Sequence, residues 1–325
     1  MTTDDISGDL AWAGQALSDH AGEPVVIERV TELTARTGRL HRLDVGGGRR
    51  KGRYFLKRYT PAAVGTWDEH AGHLRLIAGA VSGDPRLLPY VLAGADAGRR
   101  LVLAAEVPGA ALTRRADQSQ VWHGIGRWLA RLHAASAWPP SATRAQELVA
   151  YMEPRFRQWM ERDPERASLA GRAIDAAASL PAMCPGPVSV ALCHGDITAA
   201  NVRVDGAAAG LIDFDDVRVD MPGLDLSQAE LEIEELSRGW LTLRPGAGAQ
   251  RARAALRAGY GAGYVEGPAF WLPHLRNLAV FLTTLAGHRQ GGLQQRGLTA
   301  RRYARTIAEL ERTITTIGRS ALYRD

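Results

Sequence analysis

The sequence predicts an α/β chain of the α+β type, in which a small β-sheet lobe is followed by a larger, mainly helical lobe. Alternating apolar and polar runs crowd residues 25–107, a pattern typical of strands. After Pro108-Gly109 the apolar residues recur instead at helical spacing. The two patterns predict lobes at 1–107 and 108–325.

The N-terminal lobe is predicted to hold a five-stranded sheet with one helix, and the first three strands are predicted to form an antiparallel meander. The predicted strands are Val25–Val30, Leu40–Val45, Tyr54–Tyr59 and two runs between Leu87 and Ala105. The helix is expected at Thr66–Ala80, because Thr66 and Glu69 have the spacing of a capping box. The first ten residues are expected to fray.

The C-terminal lobe is predicted to be helical around one strand and one hairpin. The predicted helices are Ser119–Ala137, Leu148–Arg162, Ala167–Leu180, Leu226–Trp240, Gly248–Tyr264, Trp271–Arg289 and Thr299–Arg319. The strand is Val188–Cys193 and the hairpin is Val202–Ile212.

Composition excludes several classes of protein. The net charge is +5, but the arginines are scattered and no nucleic-acid-binding motif accompanies them, so no nucleic-acid partner is expected. No apolar run of about 18 residues predicts a membrane span, and the acidic N-terminus does not read as a secretory signal. Two cysteines make no disulfide framework, which favours a reduced, cytoplasmic setting.

Lysine is rare in this chain. Of 40 basic residues only Lys51 and Lys57 are lysines, which suggests that lysine persists where a compact ammonium is needed. Lys51 lies in a Gly-rich turn, whereas Lys57 lies in an apolar, aromatic strand. Lys57 is therefore a candidate functional residue, with an ordinary edge-strand lysine as the alternative.

The segment "CHGDITAANVRVDGAAAGLIDFDD" gathers polar groups at strand ends. Asp196 follows a strand, Asn201 comes five residues later, and a short hairpin returns the chain to Asp213. Phosphoryl transfer from a nucleotide needs oxygen ligands for metal ions and a carboxylate to orient the attacking hydroxyl. The segment can supply both, although Asx residues that only close turns are the simpler alternative.

The pattern HGDxxxxN…IDFD resembles the signature of the aminoglycoside phosphotransferase-like kinases, relatives of choline and homoserine kinases with a bilobal protein-kinase-like fold. The resemblance implies that Asp196 is the catalytic base. It also implies that Asn201 and Asp213 hold Mg²⁺ and that His194 supports the loop.

The same resemblance implies a nucleotide, ATP or GTP, bound by the N-terminal lobe. Lys57 matches the family's phosphate-binding lysine, and Glu69 is the best match for its helix partner, with Asp68 as the alternative. Backbone groups near Ala105 and Val107 are expected to meet the base. A phosphate-covering turn is expected between two further candidates, Thr34 and Gly38.

The acceptor is expected to be a hydroxyl of a small molecule. Only a dozen residues separate Asp213 from Asp225, and no Ala-Pro-Glu triplet follows, so an activation segment is missing. An aminoglycoside or aminocyclitol antibiotic, or its biosynthetic intermediate, is the leading acceptor. A metabolite kinase acting on a sugar, choline-like alcohol or homoserine is the alternative, then a pseudokinase. The enzyme is expected to be a monomer or homodimer.

Acceptor-binding candidates lie in two later helices. Acidic residues in this lobe bind cationic substrates in the resembling kinases, although an acidic helix is more often a solvated face. The candidates are Glu230, Glu234, Trp271, His274 and Asn277. Asp215 and Asp216 are expected to be surface or loop carboxylates, with ligands as the alternative.

Overall fold

The computed structural model describes residues 4–35, 38–47, 51–60, 67–113, 118–184, 186–237, 247–264, 266–288 and 293–322. The chain forms two compact units: Met1–Leu112 with Ala200–Val217, and Thr113–Ala199 with Arg218–Asp325. Residues 108–112 and 200–217 thus group with the first unit. The functional lobes 1–107 and 108–325 remain a prediction.

The strands are β1 (Val26–Leu33), β2 (Gly38–Gly46), β3 (Gly52–Tyr59), β4 (Leu92–Asp96), β5 (Leu101–Ala105), β6 (Ala110–Ala111), β7 (Ala137–Ser141), β8 (Val188–Cys193), β9 (Val202–Asp205), β10 (Ala208–Leu211) and β11 (Arg218–Asp220). The helices are α1 (Asp4–Ala21), α2 (Trp67–Ala80), α3 (Ser119–Ala135), α4 (Arg144–Arg162), α5 (Ala167–Ser179), α6 (Gly223–Ser237), α7 (Ala247–Tyr260), α8 (Pro268–His288) and α9 (Leu293–Leu322).

The first unit contains the predicted five-stranded sheet, and all of its strand pairs, in the order β1-β2-β3-β5-β4, are antiparallel. Because side chains alternate across a strand, β3 serves two faces. Tyr54 and Leu56 join the buried core cluster on one face, whereas Phe55, Lys57 and Tyr59 line a cavity on the other. The strand periodicity therefore fixes the direction in which Lys57 points.

Helix α1 was not predicted. The sequence indicated one helix in the N-terminal lobe and fraying of the first ten residues, and both expectations are wrong at α1. Ala13 and Leu17 are fully buried in the cluster formed with β2, β3 and β5. Asp9 pairs with Arg58 of β3, on the face that α1 covers. The apolar spacing at Leu10, Ala13 and Leu17 carries the helical signal, but two of the neighbouring positions are small residues that weaken it.

A second sheet of the first unit has the order β10-β9-β6. The β9–β10 hairpin turns at Gly206, whose φ of 56° suits glycine. The Leu112 N–H donates to the Val202 carbonyl, and the Leu88 N–H donates to the Ala209 carbonyl. These bonds join the hairpin to the rest of the unit.

In the second unit the seven predicted helices are all present, and several of their described ends differ from the prediction by a few residues. The predicted helix ends at Trp240 and Arg289 lie outside the described residues. A small sheet has the order β11-β8-β7.

Helices α3 and α7 approach closely at two glycines. A Cβ on Gly126 would lie 2.2 Å from the Leu256 carbonyl oxygen, and one on Gly259 would lie 2.1 Å from that of His123. Glycine is required at both positions.

Two sequence predictions need a further remark. The predicted N-cap Thr66 lies outside the described residues, whereas the helix itself begins at Trp67. Among the described residues, no helix combines the length and the apolar character needed to cross a bilayer.

Candidate active site

The cavity of the first unit brings together most of the predicted nucleotide-site residues. Its volume is about 670 Å³, within the usual range for small-molecule sites. The predicted residues that line it are Thr34, Lys57, Ala105, Val107, Asn201 and Asp213. Gly38 does not line it; it lies opposite Tyr59 in the sheet, where a Cβ would lie 1.9 Å from the Arg58 carbonyl oxygen.

Lys57 is held by carboxylates that follow β10. Its Nζ lies 2.5 Å from both carboxylate oxygens of Asp215 and 3.6 Å from Oδ1 of Asp213. Only 15% of the Lys57 side chain and 10% of the Asp215 side chain are exposed. The Tyr59 hydroxyl donates to Asp215 over 2.9 Å. Asp215 was expected to be a surface or loop carboxylate; it is a loop residue, but its side chain is paired and largely buried.

Glu69 is not the carboxylate bonded to Lys57. Its side chain is 62% exposed and lies 3.9 Å from the ring of His73. The next residue of α2, His70, is buried and packs against Tyr59 with ring centroids 5.2 Å apart. Burial lowers the pKa of His70 to about 4, and the neighbouring Lys57 also lowers it, although Asp215 opposes the shift. Helix α2 therefore presents a neutral imidazole to this part of the unit.

Asn201 and Asp213 are placed by the β9–β10 hairpin, which they flank. The Ile212 N–H donates to the Asn201 carbonyl over 3.0 Å, so the hairpin closes directly before Asp213. Asn201 is 7% exposed, whereas 48% of the Asp213 side chain is exposed. Asp213 adopts a φ of 64°, uncommon for a residue with a side chain.

This set of donors fits a divalent cation. Asn201 and Asp213 offer amide and carboxylate oxygens to one cavity, and hard cations such as Mg²⁺ prefer oxygen ligands. A positive charge, the Lys57 ammonium, already lies within 4 Å of Asp213 and of Asp215. The charge and the oxygen atoms of this site therefore suit a bound cation.

The backbone at the end of β5 is hydrogen-bonded within the sheet. The Ala105 N–H donates to the Val91 carbonyl, and the Glu106 N–H donates to the Arg53 carbonyl, over 2.9 and 2.8 Å. Both groups are thus committed within the sheet. Ala105, Glu106 and Val107 all line the cavity, beside Leu40 and Val102.

The loop that carries Asp196 belongs to the second unit, and one face of α6 holds it. Asp225 accepts hydrogen bonds from the N–H groups of His194 and Gly195 over 2.8 and 2.9 Å. Gln228 accepts from the Ile197 N–H and donates to the Gly195 carbonyl. Since α6 positions 225, 228 and 232 share one helix face, Glu232 extends the row by accepting from the Ala199 N–H over 2.8 Å.

His194 supports the loop as predicted. It is fully buried, and its Nδ1 accepts the Asp196 N–H over 3.2 Å. Gly195 between them has a φ of 83°, a conformation that favours glycine. The loop is therefore fixed both by its own turn and by α6.

Asp225 is the fully buried centre of this support. Besides the two loop N–H groups, it lies 3.1 Å from His133 Nε2, while His133 Nδ1 contacts the Tyr260 hydroxyl at 2.9 Å. Burial by itself raises the pKa of Asp225, but bonds and charge from His133, His194 and Gly195 outweigh burial and lower it. Asp225 is therefore held as a carboxylate.

The two acidic candidates for acceptor binding are buried and neutralised by arginines of α7. Glu230 pairs with Arg257 over 2.9 Å and accepts the Tyr264 hydroxyl over 2.7 Å. Glu234 pairs with Arg253 over 2.7 Å. An acceptor amine would have to displace these arginines.

The three candidates on α8 are also buried. The Asn277 amide donates to the Leu224 carbonyl over 3.0 Å, and His274 contacts the Ser227 hydroxyl at 2.8 Å and Glu309 at 3.3 Å. Trp271 is 7% exposed. These contacts tie α8 to neighbouring helices of the unit.

Sequence reasoning missed the supporting residues. Asp215, Tyr59 and Gln228 were not assigned a site role, yet each bonds Lys57 or the Asp196 loop, directly or through Asp215. Tyr59 carried a signal, since it shares the β3 face of Lys57 by strand parity. The helical spacing of Gln228 from Asp225 was a second signal.

Solved structures share the fold over nearly the whole chain at low identity. A spectinomycin phosphotransferase bound to ADP and spectinomycin has a TM-score of 0.57 and 13% identity, covering 94% of this chain and 98% of its own. A choline/ethanolamine kinase family protein from Mesorhizobium loti has 0.57 and 16%, covering 95% and 99%. An amicoumacin kinase bound to AMP-PNP, Ca²⁺ and Ami has 0.55 and 13%, covering 95% and 96%.

These likenesses confirm the predicted kinase-like fold, with a five-stranded antiparallel sheet in the first unit. No curated protein sequence matches the chain. The model of the phosphotransferase enzyme family (APH) matches residues 33–274, well over half of the chain. The match spans the Lys57 strand, the Asp196 loop and the Asp213 hairpin, and the chain therefore belongs to the phosphotransferase enzyme family of small-molecule kinases.

Proposed function

We propose that this enzyme transfers the γ-phosphate of Mg-ATP, or Mg-GTP, to a hydroxyl of a small molecule. The observation that carries the proposal is the first-unit cavity, where Lys57, Asn201 and Asp213 lie with the backbone that follows β5. A site for a nucleoside triphosphate requires three features: a positive charge for the phosphates, oxygen ligands for a metal ion and an apolar surface for the base.

The nucleotide would lie along this cavity. The Ala105 carbonyl and the Val107 backbone would meet the edge of the base, since the N–H groups of Ala105 and Glu106 are already hydrogen-bonded within the sheet. Lys57 would bind phosphate oxygens. Asn201 and Asp213 would hold Mg²⁺, which neutralises charge on the phosphate oxygens during transfer.

Asp196 would orient the acceptor hydroxyl and take its proton on a carboxylate oxygen. Its loop is bonded by Asp225, Gln228 and Glu232, so little reorganisation would accompany proton transfer. A positioned general base of this kind typically contributes about 10²–10⁴ in rate. This rigidity supports a catalytic rather than a scaffolding role for the loop.

The proposed acceptor is an aminoglycoside or aminocyclitol antibiotic, in resistance, or its intermediate, in biosynthesis. One structural neighbour was solved with spectinomycin. Glu232 places a second carboxyl group near Asp196. Burial raises the pKa of Glu232, the Ala199 N–H and Arg302 lower it, and the charge of Asp196 raises it further. A cationic acceptor would relieve the repulsion between these two carboxylates.

A substrate panel tests the proposal. Purified enzyme with Mg²⁺ and ATP or GTP is given aminoglycosides, aminocyclitols, macrolides, nucleoside antibiotics, choline, homoserine and sugars, and nucleoside-diphosphate release is measured. Release with an aminoglycoside or aminocyclitol is the expected result. Release only with choline, homoserine or a sugar supports the metabolite kinase instead, which the choline/ethanolamine kinase family neighbour favours. Nucleotide binding without any release indicates a pseudokinase.

A further inference from the structure

The ion pair of Lys57 with Asp215 has no counterpart in the roles proposed so far. Asp215 meets the lysine through both carboxylate oxygens at 2.5 Å and also receives the Tyr59 hydroxyl at 2.9 Å. We propose that Asp215 is the positioning residue of Lys57, in place of a carboxylate from α2. The role rests on the proposed function, because it concerns the phosphate-binding lysine of that reaction.

Helix α2 leaves this role open. Glu69 and His70 point about 100° apart around the helix, so the two side chains do not face the sheet together. The structure turns His70 inward, where it is 5% exposed against Tyr59, and leaves the Glu69 side chain 62% exposed. The anion beside Lys57 therefore comes from the segment after β10.

The source of the anion has a mechanical consequence. Asp215 follows Asp213 by two residues, and the left-handed turn at Asp213 directs the segment so that both carboxylates lie within 4 Å of Lys57. The lysine thus ties β3 to the segment that offers the metal-binding carboxylate. Without Asp215, the Lys57 ammonium would no longer be held in a fixed position relative to this segment.

The main test compares Asp215→Asn with Asp216→Asn, the same substitution one residue later. A hydrogen bond to a charged group contributes about 1.5–3 kcal/mol, so kcat should fall about 10- to 100-fold in Asp215→Asn and stay near wild type in Asp216→Asn. Metal-free ADP binding, measured in EDTA, should not weaken, because the lost carboxylate charge repels phosphates.

A double-mutant cycle separates positioning from other roles. In a Lys57→Met background, Asp215→Asn should cause no further loss of kcat, because its effect passes through the lysine. An equal loss in both backgrounds overturns the proposal. A rise in the Mg²⁺ concentration needed for half-maximal activity in Asp215→Asn also overturns it and makes Asp215 a metal ligand.

An NMR measurement that requires no catalysis distinguishes the failure of this proposal from the failure of the proposed function. The chain has only two lysines, so a protein labelled with ¹⁵N-lysine gives ammonium signals from Lys57 and the exposed Lys51 alone. A slowly exchanging signal should be present in wild type and Asp216→Asn and lost in Asp215→Asn. Its persistence in Asp215→Asn overturns the proposal even if no acceptor is ever phosphorylated, whereas its loss supports the pairing independently of the reaction.

Discussion

Asparagine in place of Asp225 should destabilise the second unit strongly and slow catalysis. Asp225 is fully buried and receives three contacts, from the His194 and Gly195 N–H groups at 2.8 and 2.9 Å and from His133 at 3.1 Å. The amide of asparagine has one oxygen, so its NH₂ group would replace an acceptor that a buried donor now uses.

The magnitude follows from burial. Removing one partner from a buried charged network typically costs about 3–5 kcal/mol, because the remaining groups stay desolvated. We expect the free energy of unfolding to fall by about that amount in Asp225→Asn. The lower kcat follows because the Asp196 loop loses the acceptor for two of its N–H groups.

Urea unfolding followed by tryptophan fluorescence measures the change. Asp175→Asn on α5 is the matched control, because Asp175 is exposed and such surface changes usually stay within about 0.5 kcal/mol. A loss below about 1 kcal/mol in Asp225→Asn, similar to that in the control, would refute the view that this carboxylate anchors the loop.

Three more predictions follow from particular residues. Asp213→Ala should weaken ADP binding in the presence of Mg²⁺ but not in EDTA; equal affinities with Mg²⁺ would contradict its metal role. Because the pKa of His70 is lowered to about 4 from about 6.5 when unfolded, its contribution to stability is complete above pH 6.5 and declines as the pH falls towards 4. Between pH 7 and 4.5 this amounts to about 2–3 kcal/mol in urea unfolding, and a His70→Phe variant with the same pH slope as wild type would count against it. Gly126→Ala should lower the melting temperature, since its Cβ would lie 2.2 Å from the Leu256 carbonyl oxygen, whereas Gly171→Ala, with open space around it, should not; equal melting temperatures would contradict the close helix crossing.

The sequence predicts those features that depend on residues close together in the chain. The alternation of β3 places Lys57 on the cavity face, and the hairpin between Asn201 and Asp213 forms as its turn residues predict. The five-stranded sheet and the seven later helices follow from local periodicity for the same reason.

Features that depend on distant partners were missed. A capping pattern indicates where α2 begins but not its rotation, and the exposed Glu69 and the buried His70 are adjacent residues. Likewise, Glu230 looked like a free acid because its partner Arg257 lies 27 residues away. The burial of Asp215 depends on Lys57, which is 158 residues away. The roles of Asp196, Asn201 and Asp213, and the monomeric or dimeric state, stay predictions.

The turnover of Asp196→Asn tests the central claim most directly. Asparagine keeps the size of the side chain but cannot take a proton, so kcat for the best acceptor should fall by at least about 10²–10⁴ while ADP affinity stays at the wild-type value. Asp205→Asn, at the exposed end of β9, is the control and should retain full turnover. Unchanged kcat in Asp196→Asn would contradict the assignment of Asp196 as the base.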